Sequence, residues 1–161
     1  MYTLIAFASR YGTSEQVAQW LTEHLPHETK QLDVTAGEPV EWAEVEQVII
    51  GSSIRMGEIQ DEMKRWLVTY EAELLKRPLA LYLCAGTPSE TERRRELERA
   101  YAPILRDHAY FHEIVGKGYD VSRMGFLDQS IVRLMTHDAK TMLQLDEQQL
   151  NRLVQASSSN S

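Results

Sequence analysis

Short apolar segments alternate with helical segments along this sequence, and this alternation is the feature that most constrains its fold. Residues 3–8, 48–52 and 79–84 are apolar runs without a helical period, as expected for strands buried on both faces. Residues 110–115 are a further candidate strand, and the more polar residues 27–34 predict a strand near the sheet edge. Because helices between strands require parallel pairing through right-handed crossovers, the sequence predicts an α/β fold with a doubly wound sheet.

The helical segments carry recognisable start and stop signals. Thr13 and Gln16 have the spacing of a capping box, and Pro26 ends the helix that they begin. Asp146 and Gln149 have the same spacing before the last helix. The charged helix that follows the third apolar run has a predicted inner face of Leu97, Tyr101, Ile104 and Leu105.

The 161 residues predict one domain over 1–156, followed by a low-complexity tail over 157–161 that is expected to be disordered. The single cysteine, Cys84, ends an apolar strand and is expected to be an inert buried thiol in a reducing compartment. The chain starts without a signal-peptide pattern and has no run of about 18 apolar residues, so a cytoplasmic location without a membrane span is predicted.

The formal net charge of −7 argues against nucleic acid as a partner, because such binding depends on an excess of Lys and Arg. The basic run 93–95 lies among four glutamates and is typical of a solvated helix face with ion pairs. His24 and His27 have no cysteine or carboxylate cluster beside them, so no metal site is predicted.

Parallel sheets bind ligands at the carboxyl ends of their strands, which directs attention to residues 9–14, 51–57 and 84–88. In the first of these segments, hydroxyl donors and Gly12 precede a helix N-terminus, where an anion is favoured. A simple turn with an N-cap is the alternative for this loop alone. The dinucleotide pattern G-x-G-x-x-G and the phosphate loop G-x-x-x-x-G-K-[ST] are both absent, which favours a mononucleotide phosphate over a pyrophosphate.

Residues 9–14 (S-R-Y-G-T-S) resemble the flavodoxin phosphate signature T-x-T-G-x-T, with Tyr11 in place of the middle threonine. The loop 50–57 is similar to the pattern G-(A/S)-S-I-x-x-G of a narrower flavodoxin-domain group, which includes the menaquinone-dependent protoporphyrinogen dehydrogenases. Residues 125–135 also resemble the "IxxLxM"-like helix of that group, although the charge-mixed stretch 115–133 departs from its basic, aromatic-rich segment.

This resemblance implies a flavodoxin-like five-stranded parallel sheet of order 2-1-3-4-5, helices on both faces, and bound flavin mononucleotide (FMN). The implied FMN-binding residues are Ser9, Arg10, Tyr11, Gly12, Thr13, Ser14, Ser52, Ser53, Ile54, Arg55, Met56, Gly57, Cys84, Ala85, Gly86 and Thr87. No residue is assigned a catalytic role, because the flavin carries the electrons. Gly57 is expected to help stabilise the flavin semiquinone by letting its peptide turn toward the ring, and Arg55 is expected to favour the anionic reduced ring or else to point into solvent or pair with Glu58.

Three functions stay open at this point. The resemblance implies an oxidoreductase that takes electrons from a porphyrinogen and passes them to a quinone, a reaction of heme biosynthesis. The acidic surface instead favours an electron carrier that docks on a redox partner protein. An FMN-free binding module is the third alternative. The resemblance leaves open a monomer or a dimer, and peripheral contact with the inner membrane face.

Overall fold

The computed structural model describes residues 1–8, 12–54, 57–86, 89–117 and 144–160. The strands are β1 (Tyr2–Ala8), β2 (Thr29–Asp33), β3 (Val45–Ser53), β4 (Leu79–Cys84), β5 (Phe111–Lys117) and β6 (Gln144–Leu145). The helices are α1 (Thr13–His24), α2 (Asp61–Leu74), α3 (Glu90–Ala100), α4 (Pro103–His108) and α5 (Glu147–Ser159), with short 3-10 helices over Val34–Ala36 and Trp42–Glu44. The α/β alternation predicted from the sequence is confirmed.

The sheet has the order β2-β1-β3-β4-β5-β6, in which the first five strands are parallel and β6 pairs antiparallel with β5. The predicted order 2-1-3-4-5 and the edge position of β2 are therefore confirmed. The predicted count of five strands is wrong by one. The extra strand has only two residues, Gln144 and Leu145, which is too short to give an alternating or apolar pattern in the sequence.

Helices cover both faces of the sheet, and each face has its own apolar core. Successive residues of β1 point to opposite faces, so that Leu4 packs with the cluster beneath α2 and α4, whereas Ile5 packs with the cluster beneath α1 and α5. Because the sheet is covered on both sides, β1, β4 and residues 48–51 of β3 are apolar almost throughout, as the sequence predicted. No helix within the described ranges has both the length and the apolar content needed to cross a membrane.

The charged helix predicted after β4 is divided in two. Tyr101 has an extended backbone at φ −125° and ψ 144°, and Pro103 then begins α4. The break leaves Tyr101 and Leu105 buried but turns Ile104 outward, with 48% of its surface exposed. The predicted inner face was therefore wrong for Ile104.

The C-terminal helix also differs from expectation. The carboxylate of Asp146 accepts a hydrogen bond from the backbone N–H of Gln149 at 3.2 Å, which confirms the predicted start of α5. The helix continues to Ser159, and Ser157 is fully buried, so residues 157–159 do not form the disordered tail that the sequence predicted. The buried Gln47 holds this end of the helix, because its amide oxygen accepts a hydrogen bond from the Ser157 hydroxyl at 3.2 Å.

Candidate functional site

The first strand end leads into α1 through Gly12. This residue is the N-cap of α1 and has φ 92° and ψ −5°, a left-handed conformation that glycine adopts without steric cost. Its carbonyl oxygen accepts the first helical hydrogen bond, from Gln16 at 3.0 Å. Thr13 therefore lies within the first turn, and the capping box predicted from Thr13 and Gln16 is wrong. The backbone of a helix first turn favours an anion through its N–H groups and dipole.

Ser14 connects the first strand end with the second. Its side chain is fully buried, and its hydroxyl lies 2.7 Å from the hydroxyl of Ser53 at the end of β3. The Ser14 hydroxyl also lies close enough to the thiol of Cys84, which ends β4, to lower the pKa of that thiol. Three strand ends that are far apart in the sequence therefore meet around one small side chain.

The second strand end, at the end of β3, makes hydrogen bonds to Gln60, which precedes α2, and to Cys84, which ends β4. The hydroxyl of Ser52 donates to Oε1 of Gln60 at 3.4 Å, and the backbone N–H of Ile54 donates to the carbonyl oxygen of Cys84 at 2.8 Å. The Ile54 side chain is 7% exposed and belongs to the apolar cluster beneath α2. Two of the residues predicted for a flavin edge thus direct their side chains into the protein.

Gly57 lies beyond this strand end and has φ 82°. A Cβ atom on Gly57 would lie 3.9 Å from Nη2 of Arg99, so the exposed end of the Arg99 side chain in α3 is its nearest neighbour. The positive φ explains why glycine occupies this position, since other residues adopt that conformation at a cost.

The third strand end is buried up to its last residue. Cys84 and Ala85 are nearly inaccessible, whereas Gly86 is exposed. Burial raises the pKa of the Cys84 thiol to about 12, and the nearby Ser14 hydroxyl lowers it only in part. The structure confirms that Cys84 is a free, buried cysteine, and the raised pKa favours its protonated form at neutral pH.

Several residues predicted for the site lie outside the described residues, and for them the prediction stands as made. They are Ser9, Arg10, Tyr11, Arg55, Met56 and Thr87. The third resemblance segment, 125–135, and the helix predicted there also lie outside the described ranges.

The sequence reasoning missed Tyr82, which stands in the middle of β4. Its hydroxyl donates to the carbonyl oxygen of Ser14 at 2.9 Å, and the side chain is fully buried. Its ring lies across Gly51, the residue directly opposite it on β3, where a Cβ atom would come within 1.7 Å of the ring carbon Cζ. One signal was available: a buried tyrosine in an otherwise apolar strand usually has a hydrogen-bond partner for its hydroxyl.

Comparison with known proteins identifies relatives in sequence. The family model described as "Flavodoxin domain" matches residues 4–145. Protoporphyrinogen IX dehydrogenase [quinone] of Escherichia coli K12 is 29% identical over 105 residues, which cover 63% of this chain. The match spans 58% of the length of that protein, which is less than two thirds of the relative.

Solved structures agree with the fold. The flavodoxin, WrbA-like protein of Agrobacterium tumefaciens is similar with a TM-score of 0.58 at 15% identity, covering 99% of both chains. A Fusobacterium nucleatum flavodoxin mutant bound to flavin mononucleotide has a TM-score of 0.50 at 19% identity, over 71% of this chain and 68% of that one. At these identities the similarity supports the fold alone.

Proposed function

The chain belongs to the flavodoxin domain family, and on that premise we propose that it binds FMN at the carboxyl ends of β1, β3 and β4. The observation that carries the proposal is the meeting of these three strand ends around the buried Ser14. The described residues there are mostly small; Ser14, Ser52 and Cys84 are buried, whereas Gly57 is partly exposed and Gly86 is exposed. Ligands of open α/β sheets bind at this edge, and flavodoxin with its FMN is itself an established example of this rule.

The proposed division of roles combines the positions of the described residues with the resemblance of residues 9–14 to the phosphate signature. The first turn of α1, from Gly12 to Ser14, faces the phosphate with its backbone amides, because a helix N-terminus stabilises a dianionic group. The hydroxyl groups of Ser9 and Thr13 are the side-chain donors that fit the same group. Gly57 and Gly86 flank the ring, and bound FMN supplies the redox chemistry.

Titration of the flavin-free protein with FMN tests this proposal. We expect one FMN per chain with quenched flavin fluorescence, and about tenfold weaker binding for Thr13→Ala, which removes one phosphate donor. The matched control is Thr69→Ala, at an exposed position of α2 whose hydroxyl bonds only within its own helix. If the purified chain is colourless and binds no added FMN, the chain is the FMN-free module and the proposal is wrong.

For the activity, we propose an oxidoreductase of the protoporphyrinogen dehydrogenase (quinone) type. Support comes from the 29% identity to the Escherichia coli enzyme and from the second loop, 50–57, which carries the pattern of that group. Anaerobic incubation of the FMN-loaded protein with protoporphyrinogen and a menaquinone analogue should generate porphyrin fluorescence at a rate proportional to protein. Absence of fluorescence above the protein-free rate would exclude this activity.

The second candidate function is electron transfer between partner enzymes, and the net charge of −7 favours it. An acidic surface accelerates association with a basic redox partner, and salt screens that attraction. Reduction of bound FMN by a basic reductase should then be fast and should slow markedly between about 0.01 M and about 0.5 M salt. A rate that does not depend on salt would count against the carrier.

A further inference from the structure

We propose that Tyr82 is a positioning residue for the phosphate of FMN: it fixes the orientation of the first turn of α1 from within the sheet. This inference rests on the proposed function, because it concerns how the phosphate site is held. Tyr82 lies in β4 and makes its hydrogen bond to Ser14. It would therefore act through α1 rather than through contact with the ligand.

The Tyr82 side chain can reach α1 from β4 because the residue that it crosses is a glycine. Gly51 pairs directly with Tyr82 across β3 and β4, and the Tyr82 ring occupies the volume where a side chain at Gly51 would stand. Any Cβ atom at that position would overlap the ring, with separations of 1.7 to 2.3 Å to three ring carbons. Only glycine leaves room for the ring to pass over the central strand and reach the helix.

The hydrogen bond from Tyr82 is made to the first turn of α1, whose backbone N–H groups would bind an anion. The carbonyl oxygen of Ser14 belongs to the same rigid peptide unit as the N–H group of Glu15, so holding the carbonyl holds the direction of that N–H. The hydroxyl of Ser14 is held separately, at 2.7 Å from Ser53. The first turn is thus attached to β4 through its backbone and to β3 through a side chain. Rigid donors bind a ligand better than donors that must be ordered on binding.

A second buried tyrosine provides a matched control. Tyr101 is 2% exposed, and its hydroxyl donates to the carbonyl oxygen of Tyr82 at 2.7 Å. Tyr101→Phe therefore removes one buried tyrosine hydrogen bond, as Tyr82→Phe does. The bond that it removes ends on the backbone carbonyl of Tyr82. The variant leaves the bond between Tyr82 and Ser14 in place, so it reports the general cost of losing a buried hydroxyl.

The experiment compares FMN with riboflavin, which has the same ring but lacks the phosphate. Flavin-free wild type, Tyr82→Phe and Tyr101→Phe are each titrated with both flavins, and their urea unfolding midpoints are measured. Phenylalanine keeps the ring over Gly51, so packing is retained. For Tyr82→Phe we expect about tenfold weaker FMN binding and riboflavin binding within twofold of wild type. For Tyr101→Phe we expect both affinities within twofold, while both variants lose stability.

The outcomes separate this inference from the proposed function. If wild type binds neither flavin, both are overturned. If wild type binds FMN and Tyr82→Phe loses affinity equally for both flavins, or for neither, only the role of Tyr82 is overturned. Should Tyr82→Phe fail to fold, Ser53→Ala removes the other attachment of the first turn and is expected to give the same FMN-selective loss; an unselective loss overturns the inference.

Discussion

The two ends of the parallel sheet both contain buried polar groups, but they use them differently. At the amino end, Gln47 is fully buried, and its amide oxygen accepts hydrogen bonds from the hydroxyls of Tyr110 at 2.8 Å and Ser157 at 3.2 Å. The amide nitrogen of Gln47 lies 3.3 Å from the Ser157 carbonyl oxygen, to which it donates. At the carboxyl end, Ser14 bonds both Ser53 and Tyr82 at the base of the candidate site.

The size of the residues distinguishes the two ends further. Large side chains fill the amino end, where Trp42, Trp66 and Tyr70 pack with ring centroids 5.2 to 6.2 Å apart. The guanidinium group of Arg77 lies 4.9 Å from the Trp42 ring and donates to the carbonyl oxygen of Val45. The carboxyl end has glycine, serine, alanine and cysteine instead. The amino end is therefore packed with large side chains, whereas small side chains occupy the carboxyl ends of β1, β3 and β4.

The largest expected effect of a substitution is at Gly51, beneath the candidate site. Gly51→Ala places a methyl group inside the Tyr82 ring, and we expect a loss of about 3 kcal/mol in the free energy of unfolding, measured with urea. Tyr82→Leu added to Gly51→Ala should recover part of that loss, because leucine lacks the ring that the alanine methyl group would overlap. Additive losses in the double variant would contradict the clash as the cause.

A change at the amino end should affect stability without affecting the ligand. Gln47→Leu keeps the volume but leaves the hydroxyls of Tyr110 and Ser157 without their acceptor, and we expect a cost of about 2 kcal/mol by urea unfolding. Affinity for FMN should stay within twofold of wild type. Gln155→Leu, at an exposed position of α5, is the matched control. A large loss of FMN affinity in Gln47→Leu would show that the two ends are coupled.

A smaller effect, specific to the flavin, is expected at Gly57. Gly57→Ala imposes the left-handed conformation on a residue with a Cβ, which costs about 1 kcal/mol. If the peptide at Gly57 interacts with the reduced flavin, the separation of the two one-electron potentials should change by roughly 40 mV, the one-electron equivalent of that energy. Gly37→Ala, at φ 72° with nothing within 4 Å of its Cβ position, should lose similar stability with unchanged potentials. Unchanged potentials in Gly57→Ala would refute the hypothesis.

The smallest expected effect concerns pH and lies on α3. Glu96 is 8% exposed, its Oε2 has no hydrogen-bond partner among the described residues, and burial raises its pKa in the folded protein, with a further increase from the nearby Glu92. Ionisation of Glu96 therefore destabilises the folded protein, with the full cost above the raised pKa. This cost disappears below the pKa that Glu96 has in the unfolded chain, which is about 4.

The corresponding variant is Glu96→Gln. At neutral pH it should unfold about 2 °C above wild type in a thermal scan, and the difference should vanish as the pH falls toward about 4. Glu98→Gln, exposed on the same helix, should show a smaller shift. A gain for Glu96→Gln that does not change with pH would exclude desolvation of the carboxylate as its cause.

Local patterns were enough to predict the parallel strands, because each central strand contains an apolar run that is buried on both faces, whereas their order came from the family resemblance. The same patterns failed where a distant residue decides the outcome. Ile104 is exposed because α3 ends before Tyr101 and a new helix begins at Pro103, so the spacing of one continuous helix no longer applies, and β6 exists only through its pairing with β5. Residues 157–159 are part of a low-complexity sequence that predicts disorder. Nothing in that sequence shows that Ser157 bonds Gln47, which is 110 residues away.

The sequence alone determined which strand ends form the candidate site and that small hydroxyl residues and glycines stand there. Its local spacing contains this information, since a buried strand followed by Gly12 and a helix has few possible geometries. Only the tertiary structure decided how these ends are joined: Ser14 bonds Ser53, and Tyr82 crosses Gly51 to hold α1. Such contacts link residues 39 and 68 positions apart, and no local periodicity records which side chain will fill a space left by a distant glycine.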